Sequence, residues 1–437
     1  MNNIESPDDL IPPPLNAPGD GPYALFRSRD FTLYLIGRFV ASLGQNMLSY
    51  AIGWELYHRT GSALALGLVG LAQMIPMFGC TLPAGHLADN FNRKRIILVA
   101  TLLLAAASLG LTFISATQAP VGWMYLCLFV IGAARTFLWP ASAAFLPHLV
   151  QRQQFARAVT FNSGTFQLSS VLGPALGGLL VAWLFHHHSA HPAAWVYAAN
   201  ALASLACFGL VLSIRREHAV AIRQKLSITN LAEGFKFVYA NKIIFGTISL
   251  DMFAVFLGGA TSLLPIYAQN ILRAGPGGLG LLVAAMPIGA VICMFLLTHR
   301  PPLQKAGRAM LWAVVVFGVT TIAFGLSNWF WFSFVMLVIC GAVDNVSVVV
   351  RHSLVQLLTP DEKRGRVSAI NSLFIGTSNQ LGDVESCAVA YLFGPVMGHT
   401  NATGSIVSVV SGGVGTIIVV TAVALIWPEI RRYGKLA

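Results

Sequence analysis

The sequence predicts an all-α polytopic membrane protein of twelve transmembrane helices arranged as two six-helix bundles. Three observations predict it. Of the 437 residues, 56% are hydrophobic and only 10% charged, with a mean hydropathy of +0.71. A soluble domain is nearer roughly 45–50% apolar and about 25% charged. Apolar runs of about 20 residues, the length that spans a bilayer as a helix, recur along the chain. Finally, the two halves match at an offset of 209 residues. Ile131-Gly132-Ala133-Ala134-Arg135 falls on Cys340-Gly341-Ala342-Val343-Asp344, Arg157 on Arg366, Asn162-Ser163 on Asn371-Ser372, and Leu172-Gly173 on Leu381-Gly382. A soluble enzyme, a coiled coil and a disordered protein are excluded. Two repeats related by an axis along the membrane normal are the architecture of a carrier that rocks around a central cavity.

Residues 1–24 are rich in Pro and Asp, lack an apolar core, and read as a disordered cytoplasmic tail. The first apolar run begins after residue 30, too late and too long for a signal peptide. Spans follow at 31–56, 63–88, 95–117, 122–148, 158–185 and 192–214. Residues 25–214 thus form an N-terminal bundle. The longest loop, 215–242, carries apolar residues at helical spacing with Lys between them, the pattern of an amphipathic helix on a membrane surface. Spans at 243–271, 277–298, 309–327, 329–350, 367–395 and 404–427 make the C-terminal bundle, 243–428, and 429–437 is a second tail.

Orientation follows from Lys and Arg, which accumulate in cytoplasmic loops. One set of loops holds Arg93, Lys94, Arg95, Arg152, Arg157, Arg215, Arg216, Lys242, Arg300, Arg308, Lys363 and Arg364, and both termini share that side. The opposite loops hold Arg59 and Arg273. Both termini are therefore expected in the cytoplasm, and the net charge of +11 is a matter of topology rather than of nucleic-acid binding. The six cysteines all fall inside apolar runs without a CxxC pair, so neither a zinc site nor a disulfide framework is indicated.

The loop after span 2 reads Gly85-His86-Leu87-Ala88-Asp89-Asn90-Phe91-Asn92-Arg93-Lys94-Arg95. A carboxylate at a helix end can bind a neighbouring helix N-terminus and nearby Arg side chains, tying two bundles together. Asp89, Arg93, Lys94 and the turn at Gly85 are thus gating candidates. Span 5 carries Gly173-Pro174-Ala175-Leu176-Gly177-Gly178, where glycines permit close helix approach and Pro bends the helix. The loop resembles the major facilitator superfamily pattern GxLaDrxGrk, with Asn90 and Asn92 departing from it. The span 5 run resembles the antiporter motif GxxxGPxxGG, with Ser169 in place of the first Gly. From about residue 25 onward the chain is similar to the siderophore and macrolide exporter branch of that superfamily. The resemblance rests also on TGSALALGLVGLAQMIP, Trp139-Pro140-Ala141, Phe145-Leu146-Pro147 and Arg364-Gly365-Arg366-Val367. It implies export. An acid commonly follows Leu43-Gly44 in that branch, but this chain has Gln45, so an acidic site in span 1 is not carried over.

An ionisable group near the bilayer centre costs about 2.5–3.5 kcal/mol or more, so it marks a function or a partner. Arg135 in span 4, Asp251 in span 7, Asp344 in span 10, and Asp383 and Glu385 in span 11 qualify. Arg135 and Asp344 are opposite in charge and equivalent in the repeat, so they are candidates to face each other across the cavity. Arg351, seven residues after Asp344 on the same helical face, is its alternative partner. The polar run from Thr377 to Ser386 cannot face lipid and should line the cavity. Gln45 and Asn46 of span 1, with Asn379 and Gln380 of span 11, are the uncharged cavity candidates. Glu55 and Arg38 lie near span ends and read as interfacial. His186, His187, His188 and His191 read as a solvated outer loop, and no metal or cofactor is assigned.

No P-loop, Ser/His/Asp set or zinc-ligand spacing appears, which removes ATP hydrolysis and leaves an ion gradient as energy source. The reading is a non-enzymatic, proton-coupled exporter of a small amphipathic molecule, monomeric, in a bacterial inner membrane. Asp344 is its leading coupling residue, with Asp383, Glu385 and Asp251 as competitors. A lipid or lysolipid flippase of the same fold and a non-transporting sensor are the alternatives.

Overall fold

The structure, a computed structural model, describes residues 24–187, 189–215, 235–299 and 304–434, without the side chains at 24, 82, 89, 152, 361, 362, 364–366 and 369. In its first half, α1 (Arg29–Thr60), α2 (Ala63–Asn90), α3 (Arg93–Ala116), α4 (Gly122–Phe145), α5 (Phe155–His186) and α6 (Pro192–Leu212) follow one another through short turns. The second half holds α7 (Lys242–Leu257), α8 (Gly275–Thr298), α9 (Ala306–Gly325), α10 (Phe330–Leu358), α11 (Asp361–Phe393) and α12 (Asn401–Ile426). The short α13 (Pro428–Arg432) ends it.

Local chemistry sets the boundaries. Ser28, Asn92, Asn241 and Thr400 accept backbone N–H groups at the starts of α1, α3, α7 and α12, satisfying donors that have no partner within the helix. Gly61 closes α1 in the left-handed region at φ 59°, which only glycine adopts without penalty. The expected span 7 is not continuous. It breaks at Gly258–Gly259 and continues as a 3-10 turn, Ala260–Leu263, and a π turn, Tyr267–Ile271. A Cβ at Gly259 would stand 2.8 Å from the Gly382 carbonyl oxygen, so close contact with α11 requires glycine there.

Among the described residues, ten helices are long and apolar enough to cross a membrane. Helices α1 and α11 are not among them. Arg29, Asp30, Arg38, Glu55 and Arg59 interrupt the first, and the run from Thr377 to Ser386 the second. Such helices can reside in a bilayer only if protein or a cavity covers their polar residues.

Helix α1 packs on α5 and α6, α3 on α4 and α6, and α2 on α4. In the second half α7 packs on α11 and α12, α9 on α10 and α12, and α8 on α10. Between the halves the main contacts are α5 with α8 and α2 with α11. The 209-residue offset aligns α2 with α8 and α5 with α11, so these two contacts map onto each other. The predicted surface helix at 215–242 lies largely outside the described residues. Its last part, 235–240, is helical, with Val238 buried against Ile244, Val355, Val367 and Ile370.

The Lys/Arg-rich segments gather at one end. Lys94 Nζ donates to the Leu212 and Ile214 carbonyls at 3.0 and 2.6 Å, and Arg93 Nη1 to the Ala144 carbonyl at 3.2 Å. Ala306 N donates to the Gly434 carbonyl at 3.0 Å, and Lys242 pairs with Glu429 at 3.7 Å. At the other end, hydrogen bonds tie the halves together. Tyr57 donates to Asn270 Oδ1 at 2.7 Å, and Asn401 Nδ2 to the Gly61 carbonyl at 2.6 Å.

Candidate functional site

A cavity of about 280 Å³ lies between the halves, nearer the end opposite the Lys/Arg-rich one. Helix α1 contributes Ser49 and Tyr50, α2 Gly70 and Gln73, α4 Ile131 and Arg135, the α7 break Thr261, Ser262 and Pro265, and α11 Gln380 and Asp383. Just past the glycine break that ends α7, Thr261 and Ser262 line the cavity with their hydroxyl-bearing side chains.

Arg135 and Asp383 line this cavity from opposite halves of the chain. Arg135 Nη1 donates to Gln73 Oε1 at 3.3 Å, which fixes the guanidinium without neutralising it. The sequence reading missed Gln73. Its signal was an amide in an otherwise apolar run of span 2, GLVGLAQMIP. Gln380 lines the cavity, with its helix held against Gly70. The cavity wall is thus divided between apolar side chains and polar groups, the latter one cation, one carboxylate and a few amides and hydroxyls. That combination suits an amphipathic guest.

Other expected groupings differ. Arg135 and Asp344 line separate cavities. Repeat equivalence relates positions within each half and does not bring the two side chains into one cavity. Arg351 forms an ion pair with Asp251 of α7 rather than with Asp344. A seven-residue spacing gives a shared face but about 10 Å of rise, beyond direct pairing when a closer carboxylate exists on a neighbouring helix. Gln45 does not line the central cavity; it is 8% exposed and Nε2 donates to Asn200 Oδ1 of α6 at 3.4 Å. Asn46 packs on Gly173 of α5 and donates to the Ser42 carbonyl at 2.8 Å. Asn379 is exposed and bonds its own helix at the Ile375 carbonyl. Asn379 sits about 100° around its helix from Gln380, a rotation that a polar run conceals, whereas Gln45 and Asn46 lie about one turn along α1 from the cavity-lining Ser49 and Tyr50. Glu385 accepts from Ser386 Oγ at 3.4 Å. Glu55, near the end of α1, is 6% exposed and pairs with Arg59 at 3.4 Å.

The glycine motif of α5 is squeezed from two sides. A Cβ on Gly177 would stand 3.0 Å from the Tyr50 ring of α1, and one on Gly178 2.8 Å from Gly280 Cα of α8. The Pro174 carbonyl lies 2.6 Å from where a Gly280 Cβ would be. In the gating loop, Arg93 also contacts His148, and Arg93 and Lys94 bind carbonyls of their own half. The Asp89 side chain lies outside the described residues. Gly85 has open space around it. In the outer loop His191 bonds Gln118, while His188 lies outside the described residues. Among the described residues no group of three His, Cys, Asp or Glu could hold a metal ion.

A second cavity of about 270 Å³ lies toward the Lys/Arg-rich end, with Arg38 of α1 among Tyr34, Trp139, Phe166 and Gln167. Arg38 therefore faces a cavity.

The profile of the transmembrane secretion effector family matches residues 20–423. The enterobactin exporter EntS of Escherichia coli O1:K1 is 25% identical over 409 residues, covering 93% of each chain. A bacterial homologue of the human lysosomal transporter Spinster, solved inward-facing and unoccupied, superposes with a TM-score of 0.70 at 16% identity. It covers 95% of this chain and 100% of that one. The POT family transporter PepTSo gives 0.70 at 10% identity, over 92% and 98% of the two chains. These likenesses fix the fold as that of major facilitator transporters. The chain belongs to the transmembrane secretion effector family of that superfamily, multi-pass membrane transport proteins that are not enzymes.

Proposed function

We propose that this chain exports a small amphipathic organic molecule, siderophore or drug-like, across a bacterial inner membrane by proton-coupled alternating access. The observation that carries the reading is the cavity between the halves, with Arg135 on one wall and Asp383 on the other. Twelve spans in two six-helix bundles, with both termini cytoplasmic and the chain acting as a monomer, complete the reading. The Tyr57–Asn270 and Asn401–Gly61 bonds then close the outer side, and Arg38 stands on the path from the cytoplasm.

Cargo rests its apolar part on Leu66, Val69, Leu128 and Val283, and its polar groups on Arg135, Gln73 and Gln380. Asp89, Arg93 and Lys94 close the cytoplasmic side in the opposite state, and the glycine run Gly173–Gly178 lets α5 slide on α1 and α8. Asp344 is the leading coupling carboxylate, with Asp251, Asp383 and Glu385 the other candidates. Its surroundings alternate between wet and dry, which changes its hold on a proton.

Proteoliposomes with an imposed pH gradient test this. Enterobactin, whose exporter in Escherichia coli is similar to this chain, and a macrolide are the first probes. Gradient-driven accumulation of either supports the reading. Binding without accumulation of any cargo in a panel spanning siderophores, drugs and lysolipids would indicate a sensor, and lysolipid movement alone a flippase.

A further inference from the structure

Asp251 of α7 and Asp344 of α10 line a third cavity, of about 20 Å³, wholly inside the second half of the chain. It is separate from the central cavity. Space of this size holds one water-sized particle. The remaining walls are largely apolar, among them Val314 and Phe317 of α9 and Val343 of α10. The exception is Ser347, which is 6% exposed, faces the cavity, and makes no hydrogen bond among the described residues.

The charge balance is unequal. Arg351 is 2% exposed and pairs with Asp251. Asp344 forms no ion pair among the described residues. Two carboxylates and one guanidinium leave one negative charge uncompensated in a low-dielectric interior, where an unpaired charge is expensive.

Among the described residues, the neighbouring elements do not supply the missing cation. On α10, His352 beside Arg351 is exposed, and Cys340 contacts Thr320 of α9 at 2.9 Å. Helix α9 carries Arg308 exposed at its start and apolar residues at the cavity. Helix α11 turns Asp383 to the central cavity. Helix α12 has no charged residue and brings the Thr416 hydroxyl to the Ala254 carbonyl. Lys242 pairs with Glu429 at the far end of α7.

We propose that Asp251, Asp344 and Ser347 form a binding site for one monovalent cation, a proton or a sodium ion, distinct from the cargo cavity. One such ion neutralises the cluster, and the Ser347 hydroxyl supplies an oxygen ligand or accepts the proton's hydrogen bond. The site's role as the coupling site rests on the export reading; its capacity to bind does not. It places ion and cargo in different cavities, joined through α7. The segment that runs from α7 past its glycine break reaches both, by Asp251 to one and by Thr261, Ser262 and Pro265 to the other.

The test uses the full chain in lipid nanodiscs without cargo. One arm compares Tm in sodium and potassium chloride at equal ionic strength and alkaline pH. The other follows the infrared carbonyl band of a protonated carboxyl as pH rises. The expected result is a sodium-specific rise in Tm, or a carboxyl band that disappears with rising pH. Either signal is absent from Asp344→Asn, an isosteric change. Ser347→Ala weakens sodium binding about tenfold or shifts the band, and serves as the second variant should Asp344→Asn not fold. Neither signal in the native chain, or signals unchanged in both variants, overturns the proposal. Neither arm measures transport, so a negative result leaves export untouched, and failed export leaves this site standing.

Discussion

Arg351 of α10 reaches across to Asp251 of α7 and forms a buried ion pair, leaving Asp344 on its own helix without that cation. The pair joins two helices that otherwise touch only slightly, so it fixes their relative position. Removing one partner of a buried pair strands the other charge and costs about 3–5 kcal/mol. Asp251→Asn is expected to lower Tm sharply, and Arg351→Met likewise. The double variant Asp251→Asn/Arg351→Met should recover much of the loss, because it strands no charge. Thermal unfolding of the three variants in detergent checks this. Equal, additive losses would show that the two side chains do not depend on each other.

The topology is tested by labelling on a cysteine-free background. The Lys/Arg-rich ends of α2, α4, α6 and α9 gather with residue 434 at one end of the molecule, and Tyr57, Asn270 and Asn401 at the other. If the basic end is cytoplasmic, an impermeant maleimide added outside cells labels Ala190→Cys and misses Ala219→Cys. The reverse pattern would invert the sidedness proposed here.

Much of this fold was legible because apolar run length and charge asymmetry are properties of segments, which tolerate errors of a few residues. The helices of both halves fall close to the spans read from sequence, with α1 and α10 extended at their ends. Site assignment depends on helix rotation, which a run of polar residues does not disclose. Asp383 and Gln380 face the central cavity, while Asn379, one position from Gln380, faces away. Gln45 is polar but serves Asn200 within its own half. The Arg351–Asp251 pair joins residues 100 positions apart in the chain, and no local spacing rule could have found it. Gln73 went unnoticed because one amide in an apolar span looks like a tolerated exception until Arg135 is seen beside it.

Arg135 and Gln73 should contribute unequally to cargo binding. Arg135 supplies the charge, and a charge-assisted hydrogen bond is worth about 1.5–3 kcal/mol. Arg135→Gln is therefore expected to weaken binding of an anionic cargo by about 10- to 100-fold. Gln73→Leu removes only the amide that orients the guanidinium, and should cost about 3- to 10-fold. Enterobactin titrations followed by tryptophan fluorescence would measure both. A neutral cargo should lose less with Arg135→Gln than an anionic one does. Equal losses for both cargoes would mean that Arg135 shapes the cavity and does not read charge.

The outer closure predicts a population shift that needs no cargo. Tyr57 donates to Asn270 Oδ1 and Asn401 Nδ2 to the Gly61 carbonyl, so the end of α1, the π turn at Tyr267–Ile271 and the start of α12 are held together by two hydrogen bonds between halves. Both must break before the outer side opens, and water then replaces them. The net worth of each is about 0.5–1.5 kcal/mol. Tyr57→Phe keeps the ring and deletes only the hydroxyl, and Asn401→Ala deletes the other donor. Each should raise the outward-open population about 2- to 10-fold, and the double variant by roughly the product if the bonds act independently. Maleimide accessibility of Ser49→Cys from the outer side, on the cysteine-free background, reads this population directly, because Ser49 lines the central cavity. Labelling should accelerate in the order native, single, double. The same substitutions should slow reagents that arrive from the basic end, since one opening closes as the other forms. Faster labelling from both ends at once would show that the bonds hold the fold together generally and do not select between two states.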